Sequence, residues 1–294
     1  MDIEKGKSFM KEQSVAICSI VRDCKKNLKR NINVLEVLKK YFKKTDFYIF
    51  ENDSKDGTKN ILKKWKGNSE NVNIFLNDYY DVTIPSMSEV KENPYYSKHR
   101  ISRMCQYRNE YLKKINQSKE KYDYIIVLDL DIEKINIEGI ISSFSLAGHW
   151  DVICANGFSY SPTLRKRYHD SYALVELGKE KIPQTEKSIR LNQYIWGRIK
   201  RRGPLIPVYS AYGGLSIYRY EAIKNKYYKV LTNEDKRVAV RCEHFSLCQQ
   251  IKQAGYTRIF VNPSMILKYQ SINIKLVSKY IKNKLLNANS SETI

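Results

Sequence analysis

The sequence predicts a single α/β domain built on a mostly parallel, doubly wound sheet. Two patterns carry that expectation. Four short runs are strongly apolar, as strands buried on both faces are, and the segments between them space apolar residues three and four apart, as on one face of a helix. Strands that alternate with helices make a parallel sheet, because a helix-length crossover returns the chain to begin its next strand in the same direction.

The first run is Ser14–Val21, with Arg22 and Asp23 at its carboxyl end. Leu28, Ile32, Leu35 and Leu38 then place a helix over residues 28–42. A second strand, residues 46–50, closes in the turn Glu51-Asn-Asp-Ser-Lys-Asp-Gly-Thr58, where Asp56 or Thr58 can cap a helix through Ile61, Leu62 and Trp65. Residues 72–76 form a third strand, residues 99–114 an amphipathic helix, and residues 122–129 the fourth and most apolar strand. Beyond residue 132 the pattern loosens. A strand over 151–155 is expected to end at Asn156-Gly157, and residues 158–207, punctuated by four prolines, to be mostly loop with short helices. Residues 208–218 have strand composition interrupted by Gly213-Gly214, residues 243–253 are helical, and a last short strand at 258–261 is stopped by Pro263. No internal repeat or linker divides the chain. Residues 14–270 are therefore expected to be one domain, with a nucleotide half to residue 131 and an acceptor half from 132. Residues 1–13 form an N-terminal extension, and residues 271–294 a basic amphipathic tail with Ile274, Val277, Ile281 and Leu285 at helical spacing.

Composition narrows the class. The 294 residues are 42% apolar and 28% charged, and 23 Tyr, 9 Phe and 3 Trp exclude a disordered chain. The longest apolar runs have the length of strands, too short to span a bilayer, and residues 1–13 lack the apolar stretch of a secretory signal. Six cysteines show neither a CxxC pair nor zinc spacing, so reduced, structural thiols are expected. A cytoplasmic protein, peripheral at a membrane at most, fits these features. The net charge of +21 favours phosphate-bearing partners, on nucleotides, nucleic acids or anionic lipids.

The chemistry concentrates in Val127-Leu-Asp-Leu-Asp-Ile132. An apolar strand that ends in Asp129 and Asp131 puts two carboxylates on one face, where they repel unless a cation sits between them. A hard ion, Mg²⁺ or Mn²⁺, suits such oxygens and keeps positions open for a diphosphate. The carboxyl edge of an open α/β sheet is also where ligands are expected. Arg100 and Arg103 are one helical turn apart and can reach a phosphate; Arg108 projects among Ile101, Met104, Cys105 and Leu112 and needs an anionic partner.

Taken in order, Arg22-Asp23, the Glu51-to-Thr58 turn, Arg108-Asn109, Asp129-Leu-Asp131, Gly213-Gly214-Leu215, Cys242-Glu-His244 and Gly255-Tyr-Thr-Arg258 resemble the glycosyltransferases of GT-A (Rossmann-like) fold that use nucleotide-sugar donors. The likeness spans residues 14–265. Its wording, with Arg100-Ile-Ser-Arg-Met-Cys-Gln-Tyr-Arg-Asn109 and Trp150-Asp-Val-Ile-Cys-Ala-Asn-Gly157, is closer to the cap-associated and capsular mannosyltransferase-like group than to family 2. The resemblance implies a GDP- or UDP-sugar donor, a glycan or glycolipid acceptor, and a donor site that takes in Arg22, Glu51, Asp53, Arg103, Arg108, Asp129, Gly213 and Gly214. Glu51 would meet the nucleobase, Asp129 the ribose or a metal-bound water, and Asp131 the Mn²⁺ or Mg²⁺ directly. Gly213-Gly214 would let backbone approach a sugar. Glu243 would be the base that deprotonates the acceptor. Where family 2 commonly has Glu-Asp, this chain has Glu243-His244, so His244 is either the base or a further metal ligand. Asp170 is a lesser candidate for sugar contact, and His149 and His169 are expected to be surface or loop residues.

A different class competes: a basic nucleic-acid-binding protein, nuclease or nucleotidyltransferase. The run Arg198-Ile-Lys-Arg-Arg202 and the many tyrosines favour it. No recognised nucleic-acid motif, no third carboxylate and no glycine-rich phosphate loop after the first strand accompany them, so no nucleic-acid partner is expected. The lysine-rich tail suits contact with an anionic membrane surface.

Overall fold

The computed structural model describes residues 2–270 and, beyond these, residues 274, 277, 278, 280 and 281. The first half alternates as its pattern requires: α1 (Ile3–Met10), β1 (Ser14–Val21), α2 (Lys25–Lys39), β2 (Lys44–Glu51), α3 (Thr58–Gly67), β3 (Val72–Leu76), α4 (Lys98–Gln117) and β4 (Tyr124–Leu128). The second half is strand-rich: β5 (Lys134–Ile135), α5 (Ile137–Phe144), β6 (Val152–Tyr160), β7 (Lys166–Tyr168), β8 (Val175–Glu176), α6 (Glu186–Asn192), β9 (Ile206–Ser210), β10 (Leu215–Arg219), α7 (Tyr220–Ile223), α8 (Glu243–Gln253) and β11 (Ile259–Lys268).

One sheet runs in the order β3-β2-β1-β4-β10-β6-β11-β9-β8, with β5 added to β11 and β7 to β6. Strands β1 to β4 are mutually parallel, and β10 runs against both β4 and β6. Since β11 is parallel to β6, the chain leaves β4, β6 and β11 at the same sheet edge. Alternation divides the core. Val15 and Ile17 of β1 join α2, α3 and α5 on one face, while Ala16 and Cys18 join α4 and α8 on the other.

The structure extends the sequence expectations in four places. Helices α1 and α5 were too short to show a period, yet they pack so closely that a Cβ on Gly6 would stand 2.3 Å from the Ile141 carbonyl oxygen. Residues 2–13 are thus seated on the domain through α1. Strand β6 does not stop at Asn156-Gly157 but continues to Tyr160, because β11 and β7 pair with it there. Nor does Pro263 end the last strand: β11 absorbs it in a register shift between Asn262 and Ile266. Prolines 162, 183, 204 and 207 do bound a loop-rich region, which also holds β7, β8 and α6, the last started by a capping box of Thr185 with Ser188. All six cysteines are free and buried. No helix among the described residues is long and apolar enough to cross a membrane. Apart from five residues, the tail expected over 271–294 lies outside the described residues.

Gly213 and Gly214 split the 208–218 segment into β9 and β10 with a turn at positive φ, 67° and 91°. A Cβ on Gly213 would meet the Ala155 carbonyl oxygen at 2.3 Å. Left-handed strain and overpacking then act together, so Gly213→Ala is expected to cost about 2 kcal/mol or more, read as a lowered urea midpoint.

Candidate active site

Beyond Leu128 the chain leaves β4 and turns back, and neighbouring strands fix that turn. The Asp129 amide donates to the Gly214 carbonyl at 3.0 Å. Asn31, fully buried on α2, donates to the carbonyls of Leu130 at 2.9 Å and Ile132 at 2.7 Å. Asn27 donates to the Asp131 carbonyl at 2.5 Å. With its backbone held from both sides, the loop turns the carboxylates of Asp129 and Asp131 into one cavity of about 300 Å³.

Each carboxylate meets a tyrosine from a distant segment. Tyr212 donates to Asp129 Oδ1 at 2.7 Å, and Tyr269 to Asp131 Oδ2 at 3.1 Å. Tyr212 also stacks on His244, with centroids 3.9 Å apart, and carries the Arg108 guanidinium 4.9 Å from its ring centre. Arg108, buried on α4, donates from Nε to Glu243 Oε1 at 3.1 Å and stands 3.8 Å from Asp129 Oδ1. Glu243 and His244 come from the first turn of α8 and Asp170 from the bend after β7; all three line the same cavity.

Charge is unevenly balanced there. Burial raises Asp129 to about 7, with Arg108 opposing and Asp131 adding to the rise; burial raises Asp131 as well. Burial and the Glu243 charge bring Asp170 up to about 6. Burial would raise Glu243 too, but the positive charges of His244 and Arg108 hold it down to about 2. His244 is itself lowered to about 3 by burial and by Arg108, so near neutral pH Arg108 is the charge that keeps Glu243 ionised. Neither ring nitrogen of His244 has a hydrogen-bond partner, nor has Arg108 Nη1.

The residues expected from the sequence divide into two groups. Arg22, Arg108, Asp129, Asp131, Asp170, Glu243 and His244 meet in the cavity. Glu51, Asp53, Arg103, Gly213 and Gly214 do not line it. Glu51 is fully buried and accepts from the Ser54 amide of its own turn at 2.8 Å, while Asp53 accepts from the Tyr80 amide at 2.8 Å and so ties the turn to the segment after β3. Asn52, between them, reaches the cavity. Arg103 pairs with Asp81, and it is Arg100, one turn earlier, that faces inward. What approaches Gly213 is the Ala155 carbonyl, while the Gly214 carbonyl positions Asp129. His149 is exposed, as expected, whereas His169 stacks on Tyr269 at 3.3 Å and lines the cavity. Tyr212 and Tyr269 gave no signal, since their contacts join residues 83 and 138 positions apart.

Two crowded carboxylates with raised proton affinity are a suitable bed for a divalent cation. Among the described residues no group of three His, Cys, Asp or Glu side chains could hold a metal ion. An ion here would therefore complete its shell with water and ligand oxygens, as Mg²⁺ and Mn²⁺ do with diphosphates. Removing the Tyr212 hydroxyl frees Asp129 without disturbing the stack on His244. Tyr212→Phe is expected to cost about 2 kcal/mol, the worth of a hydrogen bond to a charged group, visible as a lower melting temperature.

A family model described as Cryptococcal mannosyltransferase 1 matches residues 14–252. Among solved structures, the first 349 residues of S. aureus TarS are 15% identical with a TM-score of 0.46, the match covering 86% of this chain and 59% of that one. Mannosyltransferase PcManGT from Pyrobaculum calidifontis, solved with GDP-Man and Mn²⁺, is 11% identical with a TM-score of 0.47, covering 90% of this chain and 62% of that one. Glucosyl-3-phosphoglycerate synthase from Mycobacterium tuberculosis, solved with UDP, is 8% identical with a TM-score of 0.45, covering 93% and 76%. The chain thus spans about three fifths of the length of TarS 1–349 and PcManGT. Among curated protein sequences none matches.

Proposed function

This chain belongs to the Cryptococcal mannosyltransferase 1 family, and from that premise we propose that it transfers a sugar from a nucleoside-diphosphate donor to a hydroxyl of a glycan or glycolipid. The observation that carries the proposal is the single cavity at the carboxyl end of β4, where Asp129, Asp131, Asp170 and Glu243 face Arg22, Arg100 and Arg108. A GT-A donor site needs both signs of charge there. The family description favours mannose, hence GDP-mannose, over UDP-sugars.

In this reading Asp129 and Asp131 would hold Mn²⁺ or Mg²⁺, and Tyr212 and Tyr269 fix the two carboxylates. A bound ion would neutralise charge on the departing nucleoside diphosphate. Arg100 and Arg108 supply further positive charge to the phosphates, and Asn52 offers its amide to the nucleoside. The acceptor oxygen forms its bond to the anomeric carbon as the bond from that carbon to the phosphate oxygen breaks.

The acceptor's proton needs a base. Glu243, held ionised by Arg108, is too weak a base for that task near neutral pH, and buried His244 is weak for the same reason. Asp170, raised to about 6, matches it best. It also sits at φ 61°, in a strained backbone region that cavities of this kind often hold. We assign Glu243 to orienting Arg108 and His244 to stacking on Tyr212, with its Nε2 3.6 Å from Glu243 Oε1.

Thermal unfolding with GDP and UDP, each with and without Mn²⁺, tests the donor site. A nucleotide at about 100 times its Kd adds about 2.7 kcal/mol, so a Mn²⁺-dependent rise with GDP is expected. No rise with either nucleotide, but one with oligonucleotides, would overturn the proposal. Asp170→Asn should cut turnover by about 100-fold or more while leaving the nucleotide shift intact.

A further inference from the structure

The two cavity aspartates are served by the same arrangement: a tyrosine hydroxyl bonds the carboxylate, and the tyrosine ring lies flat on a histidine. Tyr212, on Asp129, stacks on His244 with ring planes 16° apart. Tyr269, on Asp131, stacks on His169 with centroids 3.3 Å and planes 15° apart. The first arrangement has other supports. Tyr212 carries the Arg108 guanidinium 4.9 Å from its ring centre, and His244 Nε2 stands 3.6 Å from Glu243 Oε1. The second is built on β6. The His169 amide donates to the Gly157 carbonyl at 2.9 Å and the Tyr269 amide to the Phe158 carbonyl at 2.8 Å. The two residues arrive from the ends of β7 and β11, both of which pair with this part of β6. Consecutive carbonyls of one strand thus fix the two backbones whose rings meet.

A hydrogen bond to a carboxylate that faces a cavity is readily exchanged for one to water, so by itself it holds little. Swinging the Tyr269 ring about its Cα–Cβ bond would carry the hydroxyl off Asp131. The His169 ring covers a face of that ring. Gly214, whose carbonyl positions Asp129, borders it as well, where an added Cβ would stand 3.6 Å from Tyr269 Cδ2. We propose that His169 is a positioning residue: by stacking, its ring holds the Tyr269 hydroxyl on Asp131 and so keeps that carboxylate set for a divalent cation. This rests on the glycosyltransferase reading given above, in which Asp131 would hold the ion. His169 here moves no proton and makes no bond to the ion. Its flat ring is what acts.

Turnover alone would not test this, because His169 also precedes Asp170, and a shift there would slow the reaction by another route. The measurement is Mn²⁺ binding by the full chain at saturating GDP, or UDP where only UDP raises the melting temperature. It is read from the electron paramagnetic resonance signal of free Mn²⁺. Losing an outer partner of a metal ligand weakens metal binding about 10–100-fold. Tyr269→Phe keeps the ring and removes the hydroxyl, and His169→Ala removes the stack. Each should weaken Mn²⁺ binding about tenfold or more. His169→Phe, a flat ring without nitrogens, should stay within about twofold of the wild-type chain, and it keeps the test decisive should His169→Ala fail to fold. The double variant His169→Ala/Tyr269→Phe should bind no more weakly than Tyr269→Phe, because both changes break one connection. Undiminished binding by Tyr269→Phe or His169→Ala, a loss of about tenfold or more in His169→Phe, or additive losses in the double variant would each overturn the proposal. A wild-type chain that binds no Mn²⁺ with either nucleotide would remove the transferase reading and this inference with it. Wild-type binding that none of the variants alters removes only the positioning role.

Discussion

Arg108→Met is expected to lower the melting temperature by about 10 °C, because it leaves the buried Glu243 carboxylate without its cation. Arg108 is 3% exposed and Glu243 is 3% exposed, and the two are joined at 3.1 Å. Breaking such a pair from one side costs about 3–5 kcal/mol, mostly for the charge left behind. The penalty should therefore shrink when that charge is removed as well. Arg108→Met/Glu243→Leu should recover most of the lost stability, since an apolar pair of similar volume is tolerated where an ion pair stood. It should not recover turnover, because Arg108 also supplies charge to the cavity. Calorimetry on the two single variants and the double variant checks this. Additive losses would show that Arg108 and Glu243 do not act as a unit.

That pair also marks where reading the sequence succeeds and where it stops. Arg108 among Ile101, Met104, Cys105 and Leu112 announced a buried cation in need of an anion, because a helix carries its neighbours on one face and the spacing alone reveals them. The strands β1 to β4 were legible for the same local reason, and α8 was found with its bounds, residues 243–253. Positions fixed by partners far along the chain were not legible. Tyr212, inside a segment of strand composition, and Tyr269, beyond the last strand expected, carry no signal until the sheet brings them to Asp129 and Asp131. Glu51 and Asp53 had the composition of a ligand-binding turn, but only the fold shows that Glu51 accepts from the Ser54 amide within that turn and Asp53 from the Tyr80 amide of the segment after β3. Arg100 and Arg103 differ by one helical turn, and only Asp81, brought in by the segment after β3, decides which of them is occupied outside the cavity.

Substitution at the paired aspartates should have the opposite sign on stability. Asp129 and Asp131 are two acids in one cavity, each raised by burial, with Asp131 adding to the rise at Asp129. Neutralising either relieves repulsion and keeps the tyrosine hydrogen bond, since an asparagine oxygen still accepts. Asp131→Asn is therefore expected to melt at or slightly above the wild-type temperature. Its transfer rate should nonetheless fall by about 100-fold or more, the loss expected when several kcal/mol of metal-borne charge stabilisation disappear. The nucleotide-induced rise in melting temperature should also lose its dependence on Mn²⁺, as it would for the wild-type chain treated with a chelator. An Asp131→Asn protein that keeps a Mn²⁺-dependent shift would remove this pair from the metal site. Arg108 and Asp131 thus separate two expected demands on one cavity: the cation offsets Glu243, buried beside it, and Asp131 is expected to serve the metal.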